Sequence, residues 1–393
     1  MKAWQLDRLG GELRFKDVRT PEPRPGSVLV RIEASALMSY LKAYVEGKLP
    51  VYNPPPGPFT IGTNGVGVIE VVGPDVWHLE PGQRVVLSSH FVAPENVEDP
   101  AQVLIGLTSS PDAAAVLADW PDGTLAEYAL LPVAAVTPAE GLEKFDATEL
   151  VTIGRCIIPF GGLLRGRLAA GETLVVNGAT GAYGTAAVLL GVAMGAASVV
   201  AAGRNRAALE AVADAGGSRV VPVTLTGEVQ KDARALREAS GGGAHMAFDM
   251  VGQARDPNST LAVLHSLRRG GRLVLMGSMT TDLPLPYGAV MLNSWEIIGQ
   301  FMYPASAYRR LLDLLRSGLL DISAISPRVF PAGRFAQGDG SRGHGGQSRM
   351  YRDAAVASDV RYSGSCARWP STLSAGFRRE CRAWRNPPAS DPA

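Results

Sequence analysis

The feature that most limits how this chain can fold is a run of β-branched residues that empties into glycine. Residues 175–188, VVNGATGAYGTAAV, pass from Val175 and Val176 to Gly178, Gly181 and Gly184, then back into apolar residues. Glycines at that spacing permit a sharp turn, a close backbone approach to an anion, and tight packing of the next helix on its strand. The N–H groups at the start of that helix then face the anion. A plain tight turn between a buried strand and a buried helix is the alternative. The surroundings favour the anion site: TLVVNG precedes the glycines as a strand, GTAAVLLGVAMG follows as a helix, and SVVAAG comes next as a second strand. The predicted cradle is Gly178, Thr180, Gly181, Ala182, Tyr183 and Gly184.

What a dinucleotide requires at the end of the second strand depends on its ribose. An acid there, about twenty residues past the glycines, binds free ribose hydroxyls. This chain reads VVAAGRNRAAL, with Arg204, Asn205 and Arg206 and no acid. A guanidinium matches a 2′-phosphate through charge-assisted bonds. NADP is therefore the expected cofactor, with Arg204 and Asn205 as its contacts; arginines at a solvated helix start are the alternative.

Strand and helix patterns alternate over residues 151–302. TLVVNG, SVVAAG, RVVPV, MAFDMVG, RLVLMGS and WEIIGQF are strand candidates; GTAAVLLGVAMG, AALEAVADAG, KDARALREAS and TLAVLHSLRRGG are helix candidates. Such alternation predicts an α/β doubly wound parallel sheet with helices on both faces. Residues 1–150 carry short alternating strands instead, SVLVRIEASAL, NGVGVIEVVG, GQRVVLSS and GTLAEYALLP, around the irregular loop YNPPPGPF, so a compact β-rich domain is expected there. The 393 residues exceed what one core usually serves, in agreement with two domains. ASAYRRLLDLLRSGLLDIS predicts a further amphipathic helix.

Residues 185–203 are uncharged over about the length of a bilayer span. Their Ala and Gly content and β-branched end instead suit a buried helix followed by a buried parallel strand. A net charge of +1 gives no field to hold nucleic acid or an acidic membrane, so neither is an expected partner. Cys156, Cys366 and Cys381 are too few for a disulfide framework, and the opening MKAWQLDRLGGELRF has no apolar signal core, so a reducing, cytoplasmic setting is expected. Residues 332–393, rich in Arg, Gly and Ser without a lysine, follow neither pattern and have the composition of a disordered tail.

GPFTIGTNGVGVIEVVG, GQRVV, GTLAEYALLP, GATGAYG, AFDMVG, LRRGGRLVLMGS and IIGQFMY together resemble the medium-chain dehydrogenase/reductase superfamily, the alcohol dehydrogenase and quinone oxidoreductase group, over residues 1–331. The resemblance implies a GroES-like β-rich domain over residues 1–150, to which residues 303–331 return, and a Rossmann domain over residues 151–302. It implies further cofactor contacts at Val251, Gly252, Gly277, Ser278, Phe301 and Met302, strand-end packing being the alternative, and a homodimer joined edge-to-edge at SWEIIGQFM. Zinc members hold the metal with a Cys and a His-Glu pair, whose matching positions here are Met38, Thr63 and Asn64. SSHFVAPENVEDPAQVLIGL lacks the structural-zinc cysteines, Cys156 stands near another ligand position without partners, and His78, His90, His245, His265 and His344 have no ligand spacing and read as surface or capping residues.

No metal is therefore expected, and the resemblance narrows to the zinc-independent, quinone oxidoreductase-like branch, in which NADPH delivers hydride to a quinone, enone or related carbonyl compound. Tyr40 matches the proton-relay position of the zinc enzymes and is the expected proton donor or oxyanion partner, with Ser39 and Asn64 as polar contacts and Tyr44 and Tyr52 as substitutes. A tyrosine that only lines the cleft is the alternative. A zinc alcohol dehydrogenase with unusual ligands and a dinucleotide-binding sensor or structural protein without turnover are the competing functions. In the superfamily the last stretch returns as a helix and a final strand, a pattern not found after SPRVFP. Residues 347–355, QSRMYRDAA, read one base later with permissible codons as Ser-Leu-Glu-Cys-Thr-Val-Met-Arg-Pro, similar to a superfamily ending. A shifted frame is thus one account of residues 332–393, which the encoding DNA around Pro331 decides.

Overall fold

The computed structural model describes residues 1–252, 254–325 and 327–333, together with the backbone of residues 354–357. The amino-terminal part runs β1 (Lys2–Leu6), β2 (Leu13–Asp17), β3 (Ser27–Ala36), α1 (Leu41–Val45), β4 (Phe59–Thr60), β5 (Gly65–Val72), β6 (Arg84–Leu87), β7 (His90–Val92), β8 (Gln102–Leu104), β9 (Thr108–Ser109), α2 (Ala114–Asp119), β10 (Tyr128–Pro132) and β11 (Val136–Pro138). β3 is its spine: β5 and β10 both pair antiparallel with it, and Val28, Val30, Ile69 and Leu131 enclose a core with almost no exposed surface. Valine and isoleucine suit such a pleated, covered surface because branching at Cβ favours extended backbone.

Two helices, α3 (Ala147–Leu150) and α4 (Gly154–Arg165), lead into β12 (Thr173–Asn177), α5 (Ala182–Ala193), β13 (Ser198–Gly203), α6 (Arg206–Gly216), β14 (Val220–Thr224), α7 (Val229–Ala239), β15 (Ala244–Asp249), α8 (Asn258–His265), β16 (Leu267–Leu275), α9 (Tyr287–Asn293) and β17 (Glu296–Gly299). The sheet is wholly parallel, in the order β14-β13-β12-β15-β16-β17. Its central strands are continuously apolar because helices cover both faces; Leu174, Val175, Val176, Val199 and Val200 have no exposed surface. The uncharged residues 185–203 are accordingly the body of α5, its turn, and β13. Among the described residues one helical stretch, Ala147–Arg165, has the length and apolarity of a membrane span, and about two thirds of it is buried inside the fold.

Three expectations need correction. The helix drawn through TLAVLHSLRRGG stops at His265, and Leu267 already begins β16, pairing with Ala244 of β15. α4 was not expected at all, since it contains Pro159 and three glycines; its burial between the two domain cores outweighs poor propensity. Finally, after α10 (Ala307–Arg316), β18 (Arg328–Pro331) and β19 (Ala354–Ala357) do return to the amino-terminal sheet, β19 lying between β3 and β18. The remainder of residues 334–393, including the reading-frame question, falls outside the described residues.

Candidate active site

The strand order reverses direction between β12 and β15, and ligands of such sheets bind beyond the carboxyl ends of the strands at that point. There Gly178 takes φ +77°, a conformation that excludes most side chains, and Gly181 N–H closes the turn on Gly178 O at 3.0 Å. Gly181 then caps α5 with no side chain and no acid in the first turn. The N–H groups of Ala182, Tyr183 and Gly184 are therefore left to an incoming anion. A Cβ on Gly184 would lie 2.7 Å from the Gly178 carbonyl carbon and closer still to its oxygen. Bare amides, a positive dipole end and glycine-only packing fit a pyrophosphate.

Beneath the cradle Asn177 and Asp249, at the ends of the two diverging strands, bond across the switch point. Asn177 Nδ2 donates to Asp249 Oδ1 (3.1 Å), while Thr260 Oγ1 (2.8 Å) and Val251 N–H (3.1 Å) also donate to this carboxylate. Burial pushes the Asp249 carboxyl up, against the pull of the Thr260, Val251 and Asn177 bonds. Sequence reasoning passed over this clamp, although an acid closing the apolar run MAFD was a visible signal. It holds Val251 beside the cradle and brings its loop against the next one: Gly277 N–H donates to Asp249 O at 2.9 Å, and a Cβ on Gly252 would meet Ser278 Oγ at 2.8 Å. Val251, Gly252, Gly277 and Ser278 thus come together.

The three polar residues after β13 differ in commitment. Asn205 caps α6, its side chain accepting Ala208 N–H at 3.2 Å, and Arg206 pairs with Glu210 at 2.9 Å. Arg204 is exposed, with no ion pair or side-chain hydrogen bond among the described residues. It adjoins the cradle because Gly203 lies against Thr180, whose side chain a Cβ there would meet at 3.5 Å.

Across the cleft, half-buried Tyr40 starts α1, its ring 5.9 Å from that of Tyr52. Burial, and then the neighbouring Tyr52 and Tyr183 hydroxyls, hold Tyr40 well above the usual phenol range; the last brings the first turn of α5 into the same space. Ser39 is exposed beside it. Tyr44 is no substitute, since it is fully buried and donates its hydroxyl to Leu107 O at 2.5 Å. Asn64 is engaged at both ends of its carboxamide: Oδ1 accepts Ser89 N–H at 3.3 Å and Nδ2 reaches Gly154 O at 3.5 Å. It braces the β-rich domain against α4.

The positions matching zinc ligands do not fit the metal. Met38 is a buried thioether packed with Leu41 and Tyr44, Thr63 offers a hydroxyl, and Asn64 is the brace just described. Cys156 is fully buried, and burial, eased by Arg155, pushes its thiol up to about 12. Among the described residues no group of three His, Cys, Asp or Glu side chains could hold a metal ion.

The chain leaves β17 through residues 301–303. Phe301 is exposed, and Met302 adopts φ +52° while packing on both the core around Phe160 and the one around Leu41. Tyr303 is buried against His90, a residue the sequence reading put at the surface. Burial pushes the imidazole down, against bonds to Gln102 and to the Tyr303 backbone. Ser88, His90, Thr137, Tyr303 and Tyr308 line a cavity of about 20 Å³ between them.

A β-rich domain facing a doubly wound sheet, with an anion cradle at the switch point, defines a nicotinamide-dependent oxidoreductase of two domains. Residues 24–141 match the alcohol dehydrogenase GroES-like domain and residues 182–317 the zinc-binding dehydrogenase domain. An NAD-dependent alcohol dehydrogenase from Sulfurisphaera tokodaii is 26% identical over 325 residues, 81% of this chain and 90% of that one. An alcohol dehydrogenase from Thermus sp. ATN1 superposes with a TM-score of 0.73 at 20% identity, covering 91% of this chain and 100% of that one. A protein from Sinorhizobium meliloti described as a zinc-binding dehydrogenase, bound to NADP, gives 0.68 at 17% identity over 91% and 98% of the two chains. The chain belongs to the medium-chain dehydrogenase/reductase superfamily.

Proposed function

We propose that this chain is an NADPH-dependent, zinc-independent reductase of quinones, enones or related carbonyl compounds, working in the cytoplasm. The observation that carries this reading is the cleft itself: the superfamily's metal positions hold Met38, Thr63 and an Asn64 already hydrogen-bonded at both ends of its carboxamide, and half-buried Tyr40 stands in the same cleft with its hydroxyl held well above the usual phenol range. The reduced nicotinamide, when bound, supplies the hydride. Tyr40 donates a hydrogen bond to the acceptor's oxygen as charge gathers there, and then its proton, so that hydride and proton together complete the two-electron reduction. Exposed Ser39 contributes a polar contact at the mouth. Gly178, Thr180, Gly181, Ala182, Tyr183 and Gly184 hold the pyrophosphate, Arg204 the 2′-phosphate, and the loops at Val251, Gly252, Gly277, Ser278, Phe301 and Met302 the nicotinamide half; Asn205 supports Arg204 from the α6 cap.

Parallel fluorescence titrations with NADPH and NADH test the cofactor assignment. NADPH binds the wild-type chain more tightly, and Arg204→Ala removes about 1.5–3 kcal/mol of that preference, the worth of a charge-assisted bond, roughly tenfold or more. Equal binding of the two by the wild type would sink the NADP assignment. The names of the relatives favour a second reading, metal-assisted alcohol oxidation, which stoichiometric zinc in the purified protein would establish. NADPH binding without reduction of any acceptor in a broad quinone and enone panel would instead mark a sensor or structural protein.

The chain forms a homodimer through β17, which is the edge of its sheet, with α9 beside it. α9 buries none of its residues and exposes Tyr287, Met291 and Leu292, an apolar patch beside a strand edge that has no partner among the described residues. Sedimentation velocity should give twice the chain mass, falling to one chain in a Met291→Lys, Leu292→Lys double variant; a monomeric wild type would refute the pairing.

A further inference from the structure

Beyond the cradle, the segment that ends the sheet is gripped from two sides by residues that no step above uses. Ser88 Oγ donates its only proton to His90 O at 2.9 Å, so the bond of 2.9 Å between Ser88 Oγ and the Tyr303 hydroxyl has tyrosine as donor. Tyr303 is 3% exposed, and its ring stands edge-on to that of His90 at 5.2 Å. His90 in turn meets Phe301 edge-on at 6.1 Å and is oriented by a contact of 3.1 Å between its Nε2 and Gln102 Oε1. On the opposite side α4 presses so close that a Cβ on Gly161 would collide with Met302 O. Between these two grips Met302 is held at φ +52°, a conformation an unbranched side chain rarely adopts unless its surroundings enforce it.

Where this segment lies gives the grip its meaning. Residues 301–303 follow the carboxyl end of β17, on the β15-β16-β17 side of the switch point, opposite the half of the sheet that carries Arg204. A dinucleotide laid across the crest with its phosphorylated ribose at Arg204 brings its other half to this segment. We propose that Ser88, His90 and Tyr303 form a latch, supplied by the β-rich domain, which holds the backbone of residues 301–302 in the shape that receives the nicotinamide ring. Tyr303 is thus a positioning residue. The proposal rests on the dinucleotide reading of the cradle and adds to it the part of the β-rich domain that orients the reactive half of the cofactor.

The test compares binding of the intact dinucleotide with binding of the same molecule lacking its nicotinamide. The probes are NADPH with 2′-phospho-ADP-ribose or, if the wild-type chain binds NADH more tightly, NADH with ADP-ribose. Tyr303→Phe and Ser88→Ala should each weaken the intact dinucleotide by about three- to tenfold, the range of one neutral hydrogen bond, and leave the truncated probe unchanged. Ser88→Thr, which keeps the hydroxyl, should restore the difference. Equal weakening of both probes would mean general damage to the fold, and no weakening of either would mean that the bond positions nothing; each overturns the latch. A wild-type chain that binds neither probe overturns the cradle reading, and the latch falls with it. Thermal melts of every variant separate loss of fold from loss of position.

Discussion

Gly184→Ala should weaken dinucleotide binding by about tenfold or more. The added methyl has no room: it would press on the Gly178 carbonyl, which belongs to the turn that aims the α5 amides. Relief requires α5 to move away from β12, at an overpacking cost of about 1–3 kcal/mol, and the movement carries the amides of Ala182, Tyr183 and Gly184 away from the pyrophosphate. We expect at least about a tenfold loss of affinity, or roughly 1.4 kcal/mol, by fluorescence titration, with a lower thermal midpoint. Gly181→Ala is the contrast: its φ is −80°, and the nearest atom to a Cβ there is Gly178 O at 3.4 Å, an ordinary contact. Its thermal midpoint should stay near that of the wild type. Equal midpoints for the two variants would show that the close approach at Gly184 has no energetic consequence.

Tyr40→Phe should lower acceptor reduction by about a hundredfold or more, the usual worth of a positioned general acid, while NADPH affinity stays as in the wild type. Position and protonation both favour Tyr40. Burial first, then Tyr52 and Tyr183, disfavour its phenolate, so the proton stays on oxygen until it is handed to an acceptor. The wild-type rate should accordingly show no alkaline fall caused by Tyr40 through pH 10, where an ordinary phenol would be half ionised. Single-turnover oxidation of bound NADPH across that range is the measurement. An unchanged rate in Tyr40→Phe would leave the ring as part of the cleft wall and move the proton to solvent.

The parallel sheet and the glycine turn at its switch point were legible because their signals are local. Strands buried on both faces read as unbroken apolar runs, and Gly178, Gly181 and Gly184 follow one another at intervals of three residues. Contacts between distant residues were not legible. Asn177 and Asp249 lie 72 residues apart and Ser88 and Tyr303 lie 215 apart, and no periodicity marks a side chain whose partner comes from another element. Asn64 shows the same limit from the other direction. Its place in the chain suggested a polar group for the substrate, and only the fold reveals that Ser89 and Gly154 already occupy it. α4 was hidden because Pro159 and its glycines resemble a loop until the cores on both sides are in place.

The position of β19 has a consequence for how the molecule is made. β3 leaves the ribosome early and finds β5 along one flank and β10 along Ser27–Arg31 of the other, but Ala34–Ala36 on that second flank pair with residues 354–357. Until those residues emerge, the Ala34–Ala36 end of β3 offers unpaired N–H and C=O groups on that flank, a short template for pairing with any extended chain nearby. The whole parallel sheet is synthesised in that interval. The amino-terminal domain is therefore the first to begin folding and the last to close, and its exposure to misassembly is set by the time needed to translate the other domain.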